Sequence, residues 1–158
     1  MTDKVKPVPD GYHSVTPYIC IRGASAAIAF YKKAFGAEEI FRMDMPDDKV
    51  GHAEIRIGDS RIMLADEFPG MPDAVTASPE NLGGTTFGFN VYLPDVDARF
   101  QKAVDAGAKI RRPVQDQFYG DRSGIVEDPF GHIWTLSTHI EDVSPEEMKE
   151  RMAAMPQT

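Results

Sequence analysis

Little in this chain suits covalent or metal cross-linking. Among its 158 residues there is one cysteine, Cys20, so no internal disulfide forms and no zinc site can be assembled from thiolates. Cys20 lies in a stretch that reads as a strand and suits a small core residue in a reducing compartment. No run of roughly eighteen apolar residues occurs, so no membrane-spanning helix is expected. The opening MTDKVKPVPDGYHS carries no apolar run after its charges, and the expectation is a cytoplasmic protein. Basic residues are also short, with 17 Lys and Arg against 25 Asp and Glu for a net charge of −8. That balance disfavours a phosphate backbone as partner. It leaves room for a cationic small molecule, although solubility alone also accounts for it.

What is present is enough for one domain. Apolar residues make up 42%, with Trp134, five Tyr and nine Phe to fill a core. The stretch GDRSGIVEDPFGHIWTLSTH, Gly120 to His139, reads as a β-hairpin: Ser123 to Glu127 rises, Asp128-Pro129-Phe130-Gly131 turns, and His132 to Thr138 returns. A weaker copy, GHAEIRIGDSRIMLADE, runs from Gly51 to Glu67 and turns at Gly58-Asp59. Upstream of each hairpin lie a short apolar strand and a helical stretch, so one β-α-β-β-β unit recurs about 70 residues apart.

Residues 1–13 read as a polar arm with Pro7, Pro9 and Gly11. Ser14 to Ile21 is a strand, with Pro17 indicating an edge. Ser25 is the expected N-cap of a helix whose Ala27, Ile28, Tyr31, Ala34 and Phe35 recur at helical spacing before Gly36. Glu38 to Met45 is the next strand, and the Gly51 hairpin completes a first module, 14–67. Residues 68–84 carry three Pro and three Gly without period and read as a linker. The second module, 85–139, opens with the strand Thr85 to Leu93. A helix follows, capped by Asp95, striped by Val96, Phe100, Ala103 and Val104 and stopped at Gly107. Lys109 to Val114 is a strand and Gln115 to Arg122 a loop. In the tail 140–158, Ser144-Pro145-Glu146-Glu147 is a capping box opening a last helix, with Met148, Met152 and Met155 as its apolar side.

IRGASAAIAFYKKAFGAEE, GDSRIMLADE, VYLPDVDARFQKAVDAGAKI and SGIVEDPFGHIWTL resemble the vicinal-oxygen-chelate superfamily of glyoxalases and bleomycin-resistance proteins, over nearly all of residues 14–139. GHAEIRIGDSRIMLADE with QFYGDRSG is similar to its PhnB-like subgroup. The resemblance implies an α+β fold in which two tandem βαβββ modules form half-barrel-like sheets around a ligand cavity. It also implies pairing of modules within or between chains, hence a homodimer, and in the superfamily's enzymes a divalent metal held by His, Glu or Gln. Carried over, the four ligand positions fall at Thr16, Met63, Phe89 (or Gly88) and Thr135, none of which offers an imidazole or carboxylate. No cofactor is therefore expected, and a divalent metal would need other ligands.

Strand parity gives an independent view. With Gly58-Asp59 as the turn, Ile57 pairs with Ser60, Arg56 with Arg61, Ile55 with Ile62, Glu54 with Met63 and Ala53 with Leu64. Apolar Ala53, Ile55, Ile62 and Leu64 then belong under the helix, leaving His52, Glu54, Arg56, Arg61 and Met63 on the concave side. That row is either a solvated sheet face or a charged cavity wall in which His52 or Glu54 serves as a general base or holds an amine or hydroxyl. Thr135 joins it by the resemblance, with Trp134 and Leu136 sent to the core. Tyr119, Asp121 and Arg122 lie in a loop that the implied fold sets at the cavity mouth. His132 reads as a structural hydrogen-bonding residue more than a catalyst, and His13 and His139 as surface residues.

The function expected from these features is a metal-independent, small-molecule-binding homodimer of bacterial type, drug sequestration included. The alternatives are a lyase, isomerase or other enzyme that uses acid-base residues or a non-standard metal site, and a structural dimer with a vestigial cavity.

Overall fold

Alternation in the sequence becomes strand pairing residue by residue. The computed structural model describes residues 5–71 and 77–156, which fall into two compact units, Met1–Gly84 and Thr85–Thr158. In the first, β1 (Tyr18–Ile21) leads to α1 (Ala24–Phe35), β2 (Glu38–Asp44), β3 (Val50–Ile57) and β4 (Ser60–Asp66). The sheet order is β1-β4-β3-β2. The β1–β4 pair is parallel and the others antiparallel. The hairpin register is the one its turn dictates, from Ile57 opposite Ser60 to Ala53 opposite Leu64.

Helix α1 covers one face of this sheet. Ala27, Ile28, Tyr31, Ala34 and Phe35 are buried on it, as are Ile19, Ile21, Ala53, Ile55, Ile62 and Leu64 on the strands. Each fully buried Ile or Leu contributes about 1.5–3 kcal/mol by leaving water. The expected N-cap is corrected. Gly23, not Ser25, precedes the first helical residue, with φ 87° and no side chain of its own to cap. The capping oxygen comes from across the sheet, because Asp66 Oδ1 accepts from the amides of Gly23 at 2.8 Å and Ala24 at 3.0 Å. Ser25 Oγ accepts from Arg42 instead.

The second unit repeats the plan. Strand β5 (Gly88–Tyr92) precedes α3 (Val96–Asp105), β6 (Lys109–Asp116), β7 (Asp121–Glu127) and β8 (Ile133–His139), in the order β5-β8-β7-β6. Asp95 caps α3 through the Ala98 amide. Beneath α3 the Trp134 indole stacks on Phe89 with centroids 4.1 Å apart and donates to Asp128 at 2.9 Å. Gly124 is needed here, since a Cβ would sit 2.6 Å from the Phe100 ring.

Some boundaries moved. β1 starts after Pro17 and β5 only at Gly88, while β6 runs to Asp116 past a register shift near Pro113. Proline lacks the N–H a continuous ladder needs, which confines it to edges and irregularities. Within the linker stretch a one-turn helix, α2 (Pro79–Leu82), forms under the Ser78 cap. Residues 72–76 of that stretch lie outside the described residues. The last helix, α4 (Pro145–Ala153), starts at the Ser144 cap and buries no residue. Arg151 fastens it to Glu141 and to the Phe118 carbonyl. No helix among the described residues is long and apolar enough to cross a membrane.

Candidate functional site

On the first sheet's other face, away from α1, polar residues converge. Tyr18 on β1 lies opposite Met63 on β4, Met63 opposite Glu54 on β3, and Glu54 opposite Phe41 on β2. His52 is held between aromatic rings, Tyr18 at 5.5 Å and Phe41 at 6.2 Å between centroids. Tyr18 Oη lies 2.9 Å from His52 Nδ1, and His52 Nε2 lies 3.3 Å from Glu54 Oε1. Burial pushes the Tyr18 phenol above its ordinary value, so it stays a proton donor at neutral pH. A neutral imidazole protonated on Nε2 satisfies both contacts.

The other Glu54 oxygen, Oε2, accepts from the Tyr12 hydroxyl and from Arg61 Nη1 at 3.3 Å. The Arg61 guanidinium lies over the Tyr12 ring, 4.3 Å from its centroid, the geometry of a cation–π contact. Tyr12 arrives there by a turn: its amide donates to the Pro9 carbonyl at 3.1 Å, and Gly11 takes φ 80°, as the third position of a type II turn requires. The arm therefore folds over the sheet. Pro7, Val8, Pro9, Tyr12, His13 and Ser14 join Thr16, Glu54 and Met63 around a cavity of about 400 Å³.

Of the residues singled out in the sequence, this cavity gathers Thr16, Glu54 and Met63, with Arg61 and His52 bonded to Glu54 behind them. Arg56 is exposed and engaged at the sheet's edge, donating to Glu38 at 2.5 Å. Tyr119, Asp121, Arg122 and Thr135 belong to the second unit. There Tyr119 packs edge-on against Phe118, and Arg122 turns to the helix side, bound to both Asp97 oxygens at 2.7 and 2.8 Å and to Asp116 at 2.8 Å. Thr135 lies opposite Asn90 and Ile125. Asp121 is buried, accepts from the Tyr92 hydroxyl at 2.7 Å and meets His139 Nδ1 at 2.8 Å.

Two residues were missed by sequence reasoning. Tyr12 reads in the sequence as part of a polar arm, although Pro9-Asp10-Gly11 in front of it is a turn signal. Tyr18, not singled out in the sequence, sits opposite Met63 and shares a face with Thr16, which lines the cavity. The matching position in the second unit is Asn90, opposite Thr135. Of the two alternatives there, Phe89 is corrected: it pairs with Trp134 and is turned into the core, whereas Gly88 shares the face of Asn90, because successive side chains on a strand point to opposite faces.

The positions that the resemblance assigns to metal ligands, Thr16, Met63, Phe89 (or Gly88) and Thr135, carry no imidazole or carboxylate, and neither do the register partners Tyr18 and Asn90. A phenol, a thioether, an amide and a hydroxyl do not fit a divalent ion that needs imidazole and carboxylate donors. Among the described residues no three His, Cys, Asp or Glu side chains come together as such a centre would require.

The two sheets, each a parallel-edged β-α-β-β-β unit, define the glyoxalase type of α+β fold. Residues 12–136 match the glyoxalase/bleomycin resistance protein/dioxygenase superfamily, and the chain belongs to it. An uncharacterized protein of Mycobacterium bovis, Mb0911c, is 40% identical over 141 residues, 89% of this chain and 93% of that one. Among solved structures, TioX from Micromonospora sp. ML1 superposes with a TM-score of 0.64 at 26% identity, covering 81% of this chain and 99% of its own. The PhnB protein of Bacillus cereus superposes with a TM-score of 0.61 at 18% identity, covering 80% and 99%, a likeness of fold.

Proposed function

We propose that the protein binds and sequesters a small organic molecule without a metal ion, in the cavity between the arm and the first sheet. The observation that carries this reading is the pairing of about 400 Å³ of space with one fixed carboxylate at its wall. Val8, Pro7, Pro9 and Met63 supply apolar surface, and Glu54 supplies the acceptor that orients a ligand hydroxyl or amine. Superfamily membership, which includes bleomycin-resistance proteins beside glyoxalases and dioxygenases, is compatible with sequestration, and a donor set unsuited to the superfamily's metal supports it over metal-dependent turnover.

On the same reading the protein belongs to the PhnB-like subgroup and works as a cytoplasmic homodimer. The net charge of −8 supports small molecules, cationic ones included, over nucleic acid or membrane as its partners. The test is a thermal-shift screen of amines, amino-sugars, hydroxy acids and aromatic alcohols, with hits titrated by calorimetry against Glu54→Gln. Hits that bind the variant about tenfold more weakly support the reading. Equal binding to both proteins, or no hit at all, overturns it. Sedimentation at micromolar concentration showing only monomer would remove the dimer.

A further inference from the structure

We propose that Glu54 and Arg61 form a slot for an aromatic hydroxyl, which Tyr12 fills as a built-in occupant and which the ligand takes over when the arm lifts. The inference rests on the binding reading above and names its ligand class. Four observations carry it.

Tyr12 is held the way a bound phenol would be held. Its hydroxyl donates to Glu54 while Arg61 covers its ring at 4.3 Å, so both the polar and the aromatic part of the side chain are recognised. The pair is also fixed without Tyr12, since Arg61 Nη1 and Glu54 Oε2 lie 3.3 Å apart and His52 steadies the other carboxylate oxygen at 3.3 Å. With Arg61 beside it, Glu54 is a partly neutralised counter-charge for a cation, and a neutral donor with a flat ring suits the pair better.

The arm is otherwise lightly attached. Residues 5–11 are all exposed, and the Lys6–Asp10 ion pair closes within the arm itself. Tyr12 is its anchoring side chain. Gly11 fits flush on the arginine, where a Cβ would come within 2.6 Å of Arg61 Nη2. Finally, the cavity of about 400 Å³ opens directly on Tyr12 and Glu54, so a ligand larger than a phenol has room for the rest of its body once its ring replaces that of Tyr12.

The experiment removes the occupant and offers it back. In the full chain carrying Tyr12→Ala, p-cresol, which is the tyrosine side chain as a free molecule, is titrated by thermal shift alongside toluene. We expect p-cresol to raise the melting temperature saturably at concentrations about tenfold lower than toluene. The preference should disappear in Tyr12→Ala/Glu54→Gln, and wild type should need more p-cresol because Tyr12 competes. Equal responses to p-cresol and toluene, or p-cresol acting equally with and without Glu54, would overturn the slot. Should Tyr12→Ala not fold, NMR of ring-labelled tyrosine in the wild type decides: p-cresol must shift the Tyr12 resonances, and their staying in place is the contrary result. If screening finds wild-type ligands of other chemistry while Tyr12→Ala ignores p-cresol, only the slot falls. If no ligand is found for wild type but p-cresol rescues Tyr12→Ala, only the sequestration reading falls.

Discussion

The carboxylate of Asp66 receives the amide of Gly23 at 2.8 Å, tying the end of β4 to the start of α1. Its two oxygens also serve Ala24 at 3.0 Å and Val50 at 2.8 Å. One buried side chain thus closes two backbone donors at the start of α1, which has no cap of its own, and a third at the start of β3. Asp66→Ala strands the buried Ala24 and Val50 donors and should cost about 2 kcal/mol or more, since each buried unpaired amide costs roughly 1–3 kcal/mol. Asp66→Asn keeps one acceptor and should cost less. Urea denaturation of the two variants checks the order, and a smaller loss for Ala than for Asn would refute it.

Much of the fold was legible because local signals agreed with one another. The Gly58-Asp59 turn, the alternation of Ala53, Ile55, Ile62 and Leu64, and the Asp95 and Ser144 caps each depend on residues near in sequence. Parity around that turn also put His52, Glu54, Arg61 and Met63 on one face. The α1 cap was not legible, because its oxygen comes from Asp66, over forty residues away. Arg122 escaped for a similar reason: its partners Asp97 and Asp116 sit on α3 and β6, and a sequence does not say which face a loop-edge arginine takes. Tyr12 was illegible as a site residue because an arm of prolines and charges carries no period from which its docking could be read.

Glu67 makes acid stability testable. The Ser78 hydroxyl and amide, with Arg22, hold its carboxyl down to about 2 from an ordinary 4.5. A folded value below the unfolded one means that the stabilisation is fully present above about pH 4.5 and is lost as pH falls toward 2. Wild type should therefore melt above Glu67→Gln at about pH 6, and the gap should close as the pH approaches 2. A gap independent of pH would show that Ser78 and Arg22 do not favour the ionised form.

His139 titrates in the opposite sense. Its Nε2 faces Asp142 and its Nδ1 faces Asp121, both at 2.8 Å, and these carboxylates raise its pKa above the ordinary histidine value. Only the imidazolium donates from both nitrogens. Its stabilisation is present below about pH 6.5 and fades as pH rises through the raised folded value. An NMR titration should place the His139 midpoint above about 6.5, and Asp142→Asn should bring it down. A midpoint unmoved by that substitution would mean that the Asp142 contact does not persist in solution.

The arm over the first sheet can be read by a protease. Chymotrypsin cleaves after tyrosine by taking its side chain into a pocket, so cleavage of the Tyr12–His13 bond requires the Tyr12 side chain to leave Glu54 and Arg61. Cleavage of a transiently opened segment follows the population of the open form when closing is fast. Glu54→Gln keeps the shape but replaces a charge-assisted hydrogen bond with a neutral one, a loss of about 1–2 kcal/mol. Cleavage at Tyr12 should then quicken by roughly tenfold, with little change in the global melting temperature, because the residues under α1 are untouched. Arg56→Gln is the matched control: Arg56 pairs with Glu38 at the sheet's edge and should leave the Tyr12 cleavage rate as it is. Should both variants cleave at the wild-type rate, Glu54 does not tether the arm, and its contact with Tyr12 carries no weight in closing the cavity.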